Sequence, residues 1–381
     1  MAVVADQGGR RAARALLAQV VAQVLDTDLS DADLTDRLDA LRLDRMARLL
    51  QLRIAAMSVA AGARARALLD AIPEEVAAQF LRAPALCECL RRNESDRLVA
   101  LLEAAGAQGR EQAFESWSVL GDRWLGDSTP ALPACAGADA RQTGRLSCGV
   151  PIDGSLAAHP SCPSAGLRQP TVPTGDLLAA QIEHIDASLA VLATVDPLGY
   201  RIFAALAANL VVRCDVARLG ECWGATSGIA IGRVVLVNAN AEPDLRRVAE
   251  ALLHEATHLA LDCAELARPL WRTDRAPTVT AVESPWTGNP LTPHAFLHAC
   301  VVWAVLWQFW EACQRKHGTD PEARARQQYI EAGFERMTRQ ADIEGALQSL
   351  APAARAVHRA VCSALRGAAV GQHEGVLAES D

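Results

Sequence analysis

The run Val248-Ala249-Glu250-Ala251-Leu252-Leu253-His254-Glu255-Ala256-Thr257-His258 sets two histidines among apolar helix formers, and few structures can accommodate that combination. The pattern predicts a helix from just after Pro243 through Asp262. On it His254 and His258 stand one turn apart on the same face, so both imidazoles can reach one metal ion. Glu255 projects beside them, placed either to act as general base on a metal-bound water or to orient a ligand. The plain alternative is a pair of partly buried surface histidines. Burying unpaired imidazoles on an apolar helix is costly, which favours the metal reading.

Hydrolytic or oxygen chemistry at such a metal requires a third protein ligand. The short metzincin spacing fails, because Leu261 and Ala264 occupy its Gly and His places. The more distant candidates are Glu283, His294 and His298. Thr292 and Pro293 predict the N-cap and first residue of a second helix running to Lys316. His294 then opens that helix and His298 lies one turn inside, on the same side. Trp303, Trp307 and Trp310 form a stripe roughly opposite His298 and are expected in the core. His298 is the preferred ligand, against the bland reading of a hydrogen-bonded core histidine; His294 and Glu283 are the alternatives.

The rest of the chain reads as mainly α with a small β element, an α+β fold. Of its 381 residues 51% are hydrophobic but only 4% aromatic, which suits helices packed through Ala, Leu and Val. Apolar residues recur at helical spacing from Gly9 to Gln108, with Pro73 and Pro84 marking helix starts. Residues 1–126 are therefore expected to form an N-terminal helical module. Residues 127–174, rich in Pro, Gly and Ser, are expected to be a connector. Residues 175–370 form the expected metal-binding domain, with helices at Asp176–Val195 and Leu198–Val212. Strand or hairpin is expected at Gly228–Gly232 and Val234–Val237. Two more helices are expected between Pro321 and Gly367, then a flexible tail over residues 371–381.

A net charge of −8 and a pI near 5.6 offer no general attraction to nucleic acid or anionic lipid. The apolar run Ala295–Phe309 is too short to span a bilayer and holds His298 and Gln308, so no membrane segment is expected. Eleven cysteines without zinc-ribbon spacing read as reduced thiols in a cytoplasm.

Leu253-His254-Glu255-Ala256-Thr257-His258, Ser284-Pro285-Trp286 and Leu297-His298-Ala299 together resemble the HExxH-type peptide β-hydroxylase family. The likeness extends to Ser227–Val237 and more loosely to Phe80-Leu81-Arg82-Ala83-Pro84. It implies an Fe(II) and 2-oxoglutarate dependent oxygenase that uses O2 to hydroxylate a β-carbon in a ribosomally made precursor peptide. It also implies His254, His258 and His298 as the iron ligands. Basic residues commonly follow the family's Ser-Pro-Trp element, whereas Thr287 and Leu291 occupy that stretch here. Arg233, Arg272 and Arg275 are the replacement candidates for holding the co-substrate carboxylate. A zinc metallopeptidase with Glu255 as base, and a non-catalytic peptide-binding protein, are the competing readings.

Overall fold

The computed structural model describes residues 15–28, 30–108, 116–117, 124–125, 145–153, 170–171, 173, 175–271, 281–318, 320–340 and 343–378. Six helices come first: α1 (Leu16–Leu25), α2 (Leu34–Ala55), α3 (Val59–Asp70), α4 (Glu74–Arg82), α5 (Pro84–Arg92) and α6 (Ser95–Gln108). Pro84 is the first residue of α5, and Pro73 immediately precedes α4. Two short strands, β1 (Ser116–Trp117) and β2 (Trp124–Leu125), pair with each other.

The main sheet is built from β3 (Ile152–Asp153), β4 (Pro170–Thr171), β5 (Asn209–Asp215), β6 (Trp223–Thr226) and β7 (Arg233–Val237). β3, β5 and β7 run parallel, β6 is antiparallel at the β7 edge, and β4 pairs antiparallel with β5. The described parts of the expected connector thus supply two of these strands. Between β4 and β5 lie α7 (Gly175–Val195) and α8 (Pro197–Leu206), the latter capped by Asp196 accepting from the Gly199 amide.

After β7 come α9 (Leu245–Ala267), the hairpin β8 (Val282–Glu283) and β9 (Pro290–Leu291), then α10 (Pro293–His317). The chain ends in α11 (Pro321–Met337), α12 (Ile343–Gln348) and α13 (Pro352–Ala378). The protein is mainly helical with a small sheet, 70% of the described residues being helix and 9% strand.

Three expectations are corrected. Leu198–Val212 is not one helix: it stops at Leu206, and Asn209–Asp215 becomes a strand buried along its whole length. An apolar run such as Leu210-Val211-Val212 suits a doubly covered parallel strand as well as a helix, and its β-branched residues favour the strand. Gly228–Gly232 is a turn, closed by bonds from Ala230 N to Ser227 O and Arg233 N to Ala230 O. The antiparallel partner of β7 is the upstream β6. Finally, three helices rather than the expected two, α11, α12 and α13, follow Asp320.

One hydrophobic cluster runs from Leu16 in α1 to Val361 in α13. α9 lies inside it, packed against α2, α7, α8, α10 and β6. The N-terminal helices are also tied to the sheet by Arg42 of α2, only 1% exposed, which donates to the carbonyls of Leu206, Ile231 and Arg82. Gly232 makes room for that guanidinium: its φ is +98°, and a Cβ there would meet Arg42 Nη2. α7 and α10 are each long and apolar enough to cross a membrane. In α10 that apolar surface is largely covered by α9, α11 and α13.

Candidate metal centre

Two packed helices build the centre. Asp244 caps α9, accepting from the Arg246 amide at 2.9 Å and from its guanidinium. Thr292 caps α10, accepting from the Ala295 amide, with Pro293 in the first turn. These caps fix where each helix begins, and the helical repeat then sets the faces on which the histidines emerge.

His254 and His258 are half-buried on the face of α9 turned towards α10, their ring centroids 5.0 Å apart. His298 is buried on α10, with its ring nearly parallel to that of His258 at 5.5 Å. The Nδ1 atoms of His258 and His298 are 3.3 Å apart. That separation fits a long imidazole–imidazole hydrogen bond, and equally two neighbouring donors on one ion.

The other ring nitrogen of His298 faces Glu265: Nε2 is 2.5 Å from Oε1. His294 Nε2 also reaches this carboxylate, at 2.8 and 2.9 Å from its two oxygens. Glu265, His294 and His298 thus form a tight group with the chemistry to hold a cation. Sequence reasoning overlooked Glu265, which lies seven residues, about two turns, beyond His258 and so on the same face. The expected helix ended at Asp262, one turn short of it. Asp262, the last residue of the expected helix, stands about one turn beyond His258.

Electrostatics follow burial and pairing. Burial pushes His254 down to about 4, against the opposing charge of Glu250 and with a smaller push from Arg326. Burial, reinforced by the neighbouring histidines, holds His258 well below the ordinary range. Both rings are therefore unprotonated at neutral pH, as metal ligation requires. For His298 burial also opposes protonation, but the hydrogen bond and charge of Glu265 outweigh it and raise the pKa. Glu265 in turn falls to about 2, since bonds from His294 and His298 overcome the cost of its burial. Burial lifts Asp262 to about 6.

Glu255 occupies a different place from the histidines. It is 2% exposed and packs beneath β6, where a Cβ on Gly224 would stand 2.8 Å from its Oε1. Burial pushes its carboxyl up to about 8 despite a hydrogen bond with Thr226.

Glu283 is exposed on β8 and does not join the cluster. His294 is drawn to Glu265. Arg233 is 1% exposed at the start of β7 and 3.9 Å from Glu88. Arg272 and Arg275 lie outside the described residues. The Ser-Pro-Trp element is a packing anchor: Trp286 stacks on Trp303 of α10 at 5.6 Å and donates to Ile330 O of α11. Trp303, Trp307 and Trp310 are buried, as expected of a core stripe.

Behind His254, Glu250 is buried and accepts from Arg247, Arg326 and the indole of Trp310. No protein-family model matches this chain, and no curated protein matches it either.

Proposed function

We propose that the chain is an Fe(II)- and 2-oxoglutarate-dependent hydroxylase of a β-carbon in a ribosomally made precursor peptide, with His254, His258 and His298 as its metal ligands. The observation that carries the proposal is the 3.3 Å approach of His258 and His298, imidazoles forty residues apart in sequence. Neighbouring donors about 2.1 Å from one ion stand roughly 3.0–3.4 Å apart, so this pair fits such an ion. The likeness of the three short motifs to the peptide β-hydroxylases supplies the reaction class.

Iron held by His254, His258 and His298 would supply the oxidising chemistry that couples 2-oxoglutarate and dioxygen to hydroxylation of the substrate. Imidazole donors carry no charge of their own, so the co-substrate's carboxylates can balance the ion without a carboxylate ligand from the protein. Burial keeps His254 and His258 free of protons. We assign the co-substrate's distal carboxylate to Arg326, whose charge acts at His254. Glu250 engages its Nε and Nη2, and the rings of Trp303 and Tyr329 hold the guanidinium at 5.1 and 4.7 Å. Nη1 is then the atom left to donate.

A zinc peptidase is favoured by one observation, the antiparallel edge strand β6 beside α9, where a peptide could pair. It fares worse on the base. A peptidase needs Glu255 facing water beside the metal, whereas this side chain is 2% exposed and packed beneath β6. Anaerobic reconstitution with iron(II) tests the choice. A charge-transfer band on adding 2-oxoglutarate, followed by succinate formation in air, is the expected result. Tight zinc retention with peptide cleavage, and neither of those signals, would overturn it.

A further inference from the structure

We infer that Glu265 is the positioning residue of this centre: it holds the Nε2–H of His298, so that His298 meets the metal through Nδ1, and it keeps His294 out of the coordination sphere. The inference rests on the proposed His254–His258–His298 centre and adds the group that orients it.

The distances decide between ligand and clamp. Glu265 Oε1 is 2.5 Å from His298 Nε2 and 2.8 Å from His294 Nε2. Adjacent donors on one ion would stand about 3.0–3.4 Å apart, so these contacts are hydrogen bonds rather than the edges of a coordination sphere. An ionised carboxylate only accepts, so each Nε2 facing it must carry the proton. That fixes the His298 tautomer and leaves Nδ1 as its lone-pair nitrogen. Nδ1 is the atom 3.3 Å from His258.

Glu265 is well held for this task. Its side chain is 10% exposed, it lies on the same rigid helix as His254 and His258, and Oε2 also accepts from the Leu270 amide at 3.3 Å. One carboxylate therefore takes up both histidines of α10 while leaving one nitrogen of His298 for the metal. His294, 34% exposed, has its own Nε2 directed to the same oxygens, which explains why two histidines at i and i+4 need not both be ligands.

The test uses the full chain loaded with zinc, which needs neither 2-oxoglutarate nor turnover. In the unaltered protein, nitrogen-15 NMR of histidine rings should show His298 bound through Nδ1 with its proton on Nε2. Zinc affinity by chelator competition should fall about 10- to 100-fold in Glu265→Ala. It should fall less in Glu265→Gln, whose amide oxygen still accepts from Nε2–H. Binding of His298 through Nε2, or undiminished affinity in Glu265→Ala, would overturn the inference. A failed succinate assay alone leaves it standing, whereas unchanged zinc affinity in His258→Ala overturns the centre and the clamp together.

Discussion

Replacing Gly333 by Ala sets two opposed effects against each other. Gly333 lies inside α11, where exchanging glycine for alanine normally stabilises a helix by about 1 kcal/mol. Here a Cβ would stand 2.0 Å from Trp286 Nε1, 2.1 Å from Cδ1 and 2.7 Å from Cε2. The indole would have to retreat by roughly 1 Å or more to reach van der Waals contact. Retreat breaks the 3.1 Å bond from Nε1 to Ile330 O, and a buried donor left unsatisfied costs about 1–3 kcal/mol. It also disturbs the stack on Trp303 and the edge contact with Phe334 at 4.8 Å, each worth about 0.5–1.5 kcal/mol. The losses win, and Gly333→Ala should destabilise the protein by about 2–4 kcal/mol, read as a lower urea midpoint. Equal or greater stability would show that helix propensity dominates and that Trp286 is not seated against α11 as described.

His254→Ala and His258→Ala should each abolish metal loading and His298→Ala should weaken it sharply, measured by elemental analysis after reconstitution; normal loading in His298→Ala removes that residue from the centre. Asp244 caps α9, so Asp244→Ala should cost about 1 kcal/mol at neutral pH. Burial raises the Asp244 carboxyl, but the bonds from Arg246 prevail and depress it, so its contribution is present above the ordinary pKa near 3.8 and is lost as pH falls through the lower folded value. The stability gap between wild type and Asp244→Ala should therefore shrink on acidification below pH 4, and a gap that widens there would refute the linkage. Arg326→Lys should raise the 2-oxoglutarate KM at least several-fold in a succinate assay, since a point charge cannot hold Glu250 and a second carboxylate as a guanidinium can; an unchanged KM would return the anchor to the packing network alone.

The parts legible in the sequence were those that local chemistry determines. Thr292-Pro293 marks the start of α10, and the i, i+4 spacing of His254 and His258 puts both on one face. What was not legible depended on pairing between distant segments. Asn209–Asp215 is a strand because β3, β4 and β7 flank it, and its own apolar run does not announce those partners. Arg233 reads as a surface cation until β7 carries it beside Glu88. Glu265 is the instructive case, because its phase was readable. Ending the helix at Asp262 hid it, and extending the histidine face by one more turn would have found a carboxylate beside the metal candidates.

Donors divided between two helices meet only if those helices keep their relative position, and the surroundings supply that constraint. Glu250, one turn before His254, accepts from Trp310 of α10 and Arg326 of α11, so a single buried carboxylate links the three helices. Breaking such a pair from one side leaves an uncompensated charge and costs about 3–5 kcal/mol. Glu265 makes a second α9–α10 link two turns beyond His258, through His294 and His298. The His254–His258–His298 face lies between these links, and sliding α10 along α9 would strain both. A metal ion entering there would meet donors already oriented, so its binding energy need not order the helices and the centre can keep open positions for small ligands.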